Sequence, residues 1–151
     1  MVIDRNGLDV LSVDECFELL SLAHVGRIAL SIGALPVILP VNFHLLDDDI
    51  IVRSGPGTKM DAALSHTVVA FEVDAFSPMD HTGWSVLVQG LAHEICDPGE
   101  LRRASALPLR AWASDRVNRF IRIRPQQVSG RRLVQGASTL VTASTSEQLQ
   151  G

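Results

Sequence analysis

Apolar residues recur with two different periods along the chain, and the change of period falls near Gly26. Before it, "SVDECFELLSLAHVG" places Cys16, Leu19, Leu20 and Ala23 at i, i+3, i+4 and i+7, one apolar stripe of an α-helix. Ser12 followed by Glu15 three residues later is a capping-box signature, so the helix is predicted to start there, with Gly26 as its stop. After Gly26 the pattern is that of strands. "GRIALS" and "LPVILPVNFHL" are short apolar runs joined through "IGA". Pro36 and Pro40 lack an N–H, which confines them to a strand start, an edge or a bulge. "LDDD" between "NFHL" and "IIVRS" reads as a hairpin turn. In "TVVAFEVD", Val69, Phe71 and Val73 alternate with Val68, Ala70, Glu72 and Asp74. "GWSVLVQGLAHEI" predicts a long strand with a bulge or bend at Gly90, and "DPGELRRASAL" a helix entered through Asp97 and Pro98. "RFIRIRP" and "QVSGRRLV" add a fifth or sixth strand and a turn. Many strands with three short helices between them predict a mainly β fold, a small antiparallel barrel with flanking helices. Closure removes the edges that β-branched runs would otherwise expose.

Composition narrows the class. The chain of 151 residues fits one domain, expected over residues 1–134, with the Ser-, Thr- and Gln-rich stretch 135–151 as a mobile tail. No apolar run is long enough to span a membrane and no basic-then-apolar leader opens the sequence, which predicts a cytoplasmic protein without membrane contact. At 46% apolar residues, such a chain is expected to hide surface in a partner, and an obligate homodimer is the natural candidate. A net charge of −4 argues against nucleic acid, whose phosphates need a concentrated basic surface. Cys16 and Cys96 match no metal or redox spacing and read as buried thiols in a reducing compartment. Turn chemistry accounts for the three adjacent aspartates, so no metal is expected.

One segment carries binding chemistry. "RSGPGTKMDAALS" holds Lys59, the single lysine of a chain with twelve arginines. Thr58 can cap a helix with Asp61 completing a box, and helix N-termini attract anions through unpaired N–H groups. Gly55 and Gly57 would let those amides close around a phosphate, with Arg53 and Lys59 supplying cations beside it. The order of residues matches neither a Walker loop nor a G-x-G-x-x-G turn. The same stretch read blandly is a surface turn with a solvated lysine.

Taken in order, "HVGRIALS", "LPVILPVNF", "DDDIIVRSGPGTKM", "VVAFEVD", "TGWSVLVQGLAHEI" and "VSGRRL" resemble the pyridoxamine 5′-phosphate oxidase-like family of flavin-binding split barrels. The likeness covers about residues 8–134 and is greatest to the short bacterial branch that includes the nitroimidazole-resistance proteins. The resemblance implies a six-stranded antiparallel split β-barrel, a homodimer, and one FMN in each of two clefts between subunits. It implies phosphate contacts from Arg53, Ser54, Thr58 and Lys59, and a strand along the isoalloxazine from Pro40, Val41, Asn42 and Phe43. Trp84 and Ser85 match a segment that meets the flavin near the subunit boundary, and Arg27 becomes a candidate ligand. The full-length oxidases hold their substrate with an arginine-rich C-terminal segment that bears a histidine. "VSGRRLVQGAS" offers Arg131 and Arg132 without one, so efficient oxidation of pyridoxamine phosphate is not expected.

The other candidates have structural readings beside the functional ones. Trp84 and Trp112 are flat enough to stack on a ring and equally suited to a core. Asn42 and Phe43 point to opposite faces of their strand, so one can meet a ligand while the other packs. His44 shares the face of Asn42 and is the best-placed titratable group. Two functional classes follow: an FMN-dependent oxidoreductase passing hydride to or from a small aromatic or nitro compound, or a flavin-binding module without turnover. A deazaflavin in place of FMN is a variant of the first.

Overall fold

The computed structural model describes residues 1–54, 59–109 and 119–133, with the side chains of Ser54 and residues 59–61 outside the description. In chain order the elements are β1 (Asp9–Leu11), α1 (Val13–Leu22), β2 (Val25–Ile32), β3 (Leu35–Leu46) and β4 (Asp49–Ser54). Then come α2 (Lys59–Leu64), β5 (His66–Ser77), β6 (Thr82–Glu94), α3 (Pro98–Ser105) and β7 (Arg119–Leu133). All strands pair antiparallel in the order β1-β7-β4-β3-β2-β5-β6, and β6 pairs again with β7. Six strands therefore close into a ring, and short β1 adds an edge to β7. This is the mainly β split barrel that the motifs led us to expect.

Local chemistry explains the path. Asp47 and Asp48 both have positive φ, 51° and 64°, between the paired residues Leu46 and Asp49. That is a two-residue hairpin of the type whose twist matches the flanking strands. Pro36 and Pro40 face Ser31 and Arg27 of β2, while β4 joins β3 only from Phe43 onward. Both prolines thus lie where β3 has a single neighbour, and no ladder bond is lost. At the start of α1, Glu15 N–H donates to Ser12 Oγ at 3.2 Å and Ser12 N–H donates to Glu15 Oε2 at 2.7 Å. Cys16 and Leu20 of this helix are buried among the barrel residues Ile28, Phe43, Phe71, Val86, Val88 and Ile121. Asp97 caps α3 by accepting from Glu100 N–H.

Three sequence expectations change. The helix stops at Leu22, and Gly26 is not its terminator. It sits inside β2 opposite Val41, where an added Cβ would lie 2.3 Å from Phe71 Cζ. The last two runs are one strand, β7, fifteen residues long. The expected turn is a bulge: Gln89 pairs with Gln127 and Gly90 with Pro125, leaving Gln126 over. Of the cysteines, Cys16 is buried but Cys96 is exposed; burial pushes the Cys16 thiol above its ordinary pKa.

A second apolar cluster lies outside the barrel. Ile51 of β4 and Phe120 of β7 meet Ala104, Ile95 and Leu109, so α3 is docked against the outer wall. Arg122, 5% exposed, anchors this layer, with Nη1 donating to Glu100 Oε1 at 2.8 Å and Nε 3.3 Å from Asp49 Oδ2. Among the described residues no helix is long and apolar enough to cross a membrane.

Candidate functional site

Alternation along the strands sorts the candidate residues onto two faces. Ile28, Phe43, Val52, Phe71, Val86 and Gly130 are buried toward the barrel interior. Their immediate neighbours therefore point outward. Arg27, Pro40, Asn42, His44, Arg53 and Ser85 all fall on the outer face. Val41, Phe43 and Trp84 fall on the inner one.

The outer residues form a strip across the sheet. Pro40 of β3 is opposite Arg27 of β2, which is opposite Glu72 of β5. Asp74, two residues further along, is opposite Ser85 of β6, which is opposite Arg131 of β7. On the other side of Pro40 come Asn42 and then Arg53, near the end of β4. Arg27 Nη1 lies 3.2 Å from Glu72 Oε2 and 3.4 Å from Asp74 Oδ1. These carboxylates hold the guanidinium above its ordinary pKa, Glu72 first. Burial raises the Glu72 carboxyl, and the negative charge of Asp74 pushes it further. The strip therefore carries an exposed cation already balanced by two acids. Sequence reading had missed both partners, although alternation put Glu72 and Asp74 on the face opposite Val73.

Arg53 is half-buried and its Nη1 donates to the Leu109 carbonyl at 3.3 Å, so the chain leaving α3 helps to orient it. His44 is half-buried with Nδ1 2.9 Å from its neighbour's carbonyl at Leu45. Phe43 is 2% exposed and packs edge to face with Phe71, so only its backbone is available to a ligand. Trp84 is half-buried against the core. Ser54 ends β4 and Lys59 begins α2, with the segment 55–58 between them. Gly55, Gly57 and Thr58, like Trp112 and the tail 135–151, lie outside the described residues, as do the side chains of Ser54, Lys59 and Asp61. The structure thus brings Arg27, Pro40, Asn42, Arg53 and Ser85 to one face and turns Val41, Phe43 and Trp84 away from it. Among the described residues no group of three His, Cys, Asp or Glu side chains could hold a metal ion.

Large apolar side chains share this face. Ile38 is 67% exposed, Val68 65%, Val25 48% and Leu87 38%. Together with Pro36, Pro40 and Ala70 they surround the Arg27 ion pairs with a surface that water wets poorly.

Known proteins share this sequence and shape. A family model described as pyridoxamine 5′-phosphate oxidase matches residues 12–132. An uncharacterised protein of Mycobacterium tuberculosis is 36% identical over 134 residues, which is 85% of this chain and 88% of that one. The structure of a FAD-binding protein of Mycobacterium smegmatis superposes with a TM-score of 0.72 at 31% identity, over 83% of this chain and 100% of that one. A FAD-binding protein of Mesorhizobium loti superposes with a TM-score of 0.67 at 26% identity, over 84% and 99% of the two chains.

Proposed function

The chain belongs to the pyridoxamine 5′-phosphate oxidase-like family, and on that footing we propose that it binds a flavin nucleotide on the outer face of the barrel as a homodimeric oxidoreductase. The observation that carries the reading is the strip itself. Arg27, Asn42, Arg53 and Ser85 come from four different strands, yet all face outward across one continuous sheet. The donor set suits a flavin: a guanidinium for phosphate, a carboxamide and a hydroxyl for polar ring edges, and apolar surface around them.

The cofactor's phosphate belongs at the end of β4, where Arg53 is held by Leu109 and where Ser54, Thr58 and Lys59 follow in sequence. Asn42 and the backbone of Pro40 to Phe43 serve the ring, and Ser85 its far side. Arg27 then acts through its ion pairs with Glu72 and Asp74, which fix the guanidinium in the middle of the strip. Bound there, a flavin supplies hydride chemistry at N5, while the protein supplies position and electrostatics. The substrate class we favour is a small aromatic or nitro compound, and the compartment is the cytoplasm. The exposed Ile38, Val68, Val25 and Leu87 favour a second copy over this face, shutting water away from the ring.

The two similar structures described as FAD-binding favour FAD over FMN, and a deazaflavin is the third form that one phosphate site would accept. The test is the absorption spectrum and mass of what copurifies, followed by titration of the apo-protein with FMN, FAD and a deazaflavin. A yellow complex whose colour bleaches when a reductant and substrate turn over supports an oxidoreductase. Flavin held without accelerated turnover supports a binding module instead. If none of the three binds, the reading fails.

A further inference from the structure

Away from the strip, a cavity of about 340 Å³ lies between the start of α1, the β3–β4 turn and the bulge in β7. That is within the usual range of small-molecule sites, roughly 300–1,000 Å³. Val13 and Phe17 line it from α1, one helical turn apart and so on one face of the helix. Phe17 and Val128 both pack against the barrel core. Pro125 is opposite Gly90, on the inner side of β7 with Val128, and Gln126 is the residue left over by the bulge. Bulges bend their strand, and this one falls beside the cavity. Asp48, the second residue of the turn, completes the lining with Asp49. None of these residues belongs to the strip. β4 runs from Asp49 at this end to Arg53 near the other, four residues or about 13 Å of extended chain.

Charge selects the ligand. Asp47 is paired with Arg103, and Asp49 is held by Arg122 at 3.3 Å and Arg124 at 3.8 Å. Asp48 stands between them, and its carboxylate makes no ion pair or hydrogen bond with any described residue. The helix adds charge of the same sign. It carries Asp14, Glu15 and Glu18 and no basic residue. Asp14 and Glu18, next to Val13 and Phe17 in sequence, are exposed and make no ion pair among the described residues. The positive end of the helix is offset by its own capping box and by Asp14 in the first turn. An anion would therefore meet unbalanced carboxylates at this mouth, whereas a cation finds them unopposed. The apolar walls call for a cation with an apolar body, and Gln126 adds an amide able to accept from an N–H.

From this juxtaposition we propose that the cavity binds a small monoammonium ion with an apolar body, its charge on Asp48 and its body against Val13, Phe17, Pro125 and Val128. The site needs no cofactor and does not depend on the flavin reading.

The probes are phenethylammonium and its neutral counterpart phenethyl alcohol, titrated into the isotope-labelled full chain and followed by amide chemical shifts. Shifts should fall on Val13, Phe17, Gln126 and Val128, with the ammonium bound more tightly than the alcohol. Asp48→Asn retains a residue type that tolerates the φ of 64° at this position. It should weaken the ammonium about fivefold and leave the alcohol unchanged, because only the ammonium loses a charged partner. Val13→Trp, at a position 54% exposed, fills the cavity from its mouth and should abolish binding of both. Thermal melts check that the variants fold, and Asp48→Asn keeps the test decisive if Val13→Trp does not. Saturating FAD should leave the affinity for the ammonium as it was. No shifts at millimolar ligand, shifts centred elsewhere, or equal affinity for ammonium and alcohol overturns the proposal. So does an Asp48→Asn protein that binds the ammonium as wild type does. Competition with FAD overturns it too, by placing the ammonium in the cofactor's site.

Discussion

Gly26 offers the sharpest test of how the barrel is packed. Adding one methyl group there places a Cβ 2.3 Å from Phe71 Cζ, 2.6 Å from Cε2 and 3.1 Å from the Glu72 carbonyl oxygen. Carbon atoms rest at about 3.5–4.0 Å, so the ring must retreat by more than about 1 Å. It has nowhere to go. Phe71 is fully buried, and its ring meets that of Phe43 edge to face at 4.9 Å between centroids. Overpacking of this kind costs about 1–3 kcal/mol. The reduced freedom of alanine in the unfolded chain returns about 0.4–1 kcal/mol. Gly26→Ala should therefore lose about 1–2 kcal/mol net, read as a lower urea midpoint with an unchanged slope. Phe71→Leu alone forfeits the aromatic pair, about 0.5–1.5 kcal/mol, together with some packing. If the clash is the cause, the double variant is less damaged than the sum of the two, by about 1 kcal/mol or more, because the smaller side chain leaves room for the methyl. A Gly26→Ala protein as stable as wild type would refute the reasoning, and so would strict additivity in the double variant.

Four further outcomes are expected. Lys59→Ala should weaken FMN or FAD binding about ten- to a hundredfold and leave riboflavin, which lacks the phosphate, unaffected; equal FMN affinity in both proteins would make Lys59 a solvated residue. Light scattering should report a dimer that Val68→Glu or Ile38→Asp splits into folded monomers, since both positions are exposed in the single chain; a monomeric wild type with flavin bound would end the shared-face description. Acid should unfold the protein partly through His93, which burial, then Arg124 and Arg122, hold below its usual pKa of 6.5 against the opposing pull of Glu100 and Asp49. Its neutral form is favoured in the fold, so stability present above pH 6.5 is lost as pH falls through the lowered value; His93→Gln should flatten that slope in urea titrations. Asp49, raised by burial, works with the opposite sign, and because the His93 charge pulls it down, His93→Gln raises it further; the slopes are therefore compared above the carboxylate range. Pyridoxamine phosphate should be a poor substrate, with turnover well under about 1 per second in an oxygen-consumption assay.

The strands were legible because their signals are local. Val69, Phe71 and Val73 alternate with Val68, Ala70, Glu72 and Asp74, and two adjacent aspartates mark a hairpin whose register the turn itself sets. The capping box of α1 was equally plain in Ser12 and Glu15. Gly26 was misread because a glycine after a helix and a glycine under an aromatic ring look alike in one dimension. The reason for it, Phe71, lies 45 residues away. β7 was divided at Pro125 because a proline usually ends a ladder, whereas here it falls at a bulge. Candidate site residues on one strand could be sorted by alternation, as Asn42 was from Phe43. That Arg27, Asn42, Arg53 and Ser85 share a face depends on how four strands align, which no single segment records. The Leu109 carbonyl that holds Arg53 is a backbone atom and leaves no mark in side-chain patterns at all.

The pairing of β7 with both β4 and β6 has a consequence for how the chain is made. Synthesis proceeds from the N-terminus, so β2 to β6 leave the ribosome before their common closing strand exists. Until Arg119–Leu133 emerges, β4 and β6 each present an unpaired edge, and Ile50 lacks the Ile121 and Ile123 side chains with which it shares the interior. Contacts from β4 to β7 span about seventy residues of chain, the kind of distant closure that makes folding slow. The nascent barrel is therefore an open, sticky sheet for most of its synthesis. Two such chains on one polysome are close enough to lend each other a strand, and exchange of β7 between neighbours is the misassembly this topology invites.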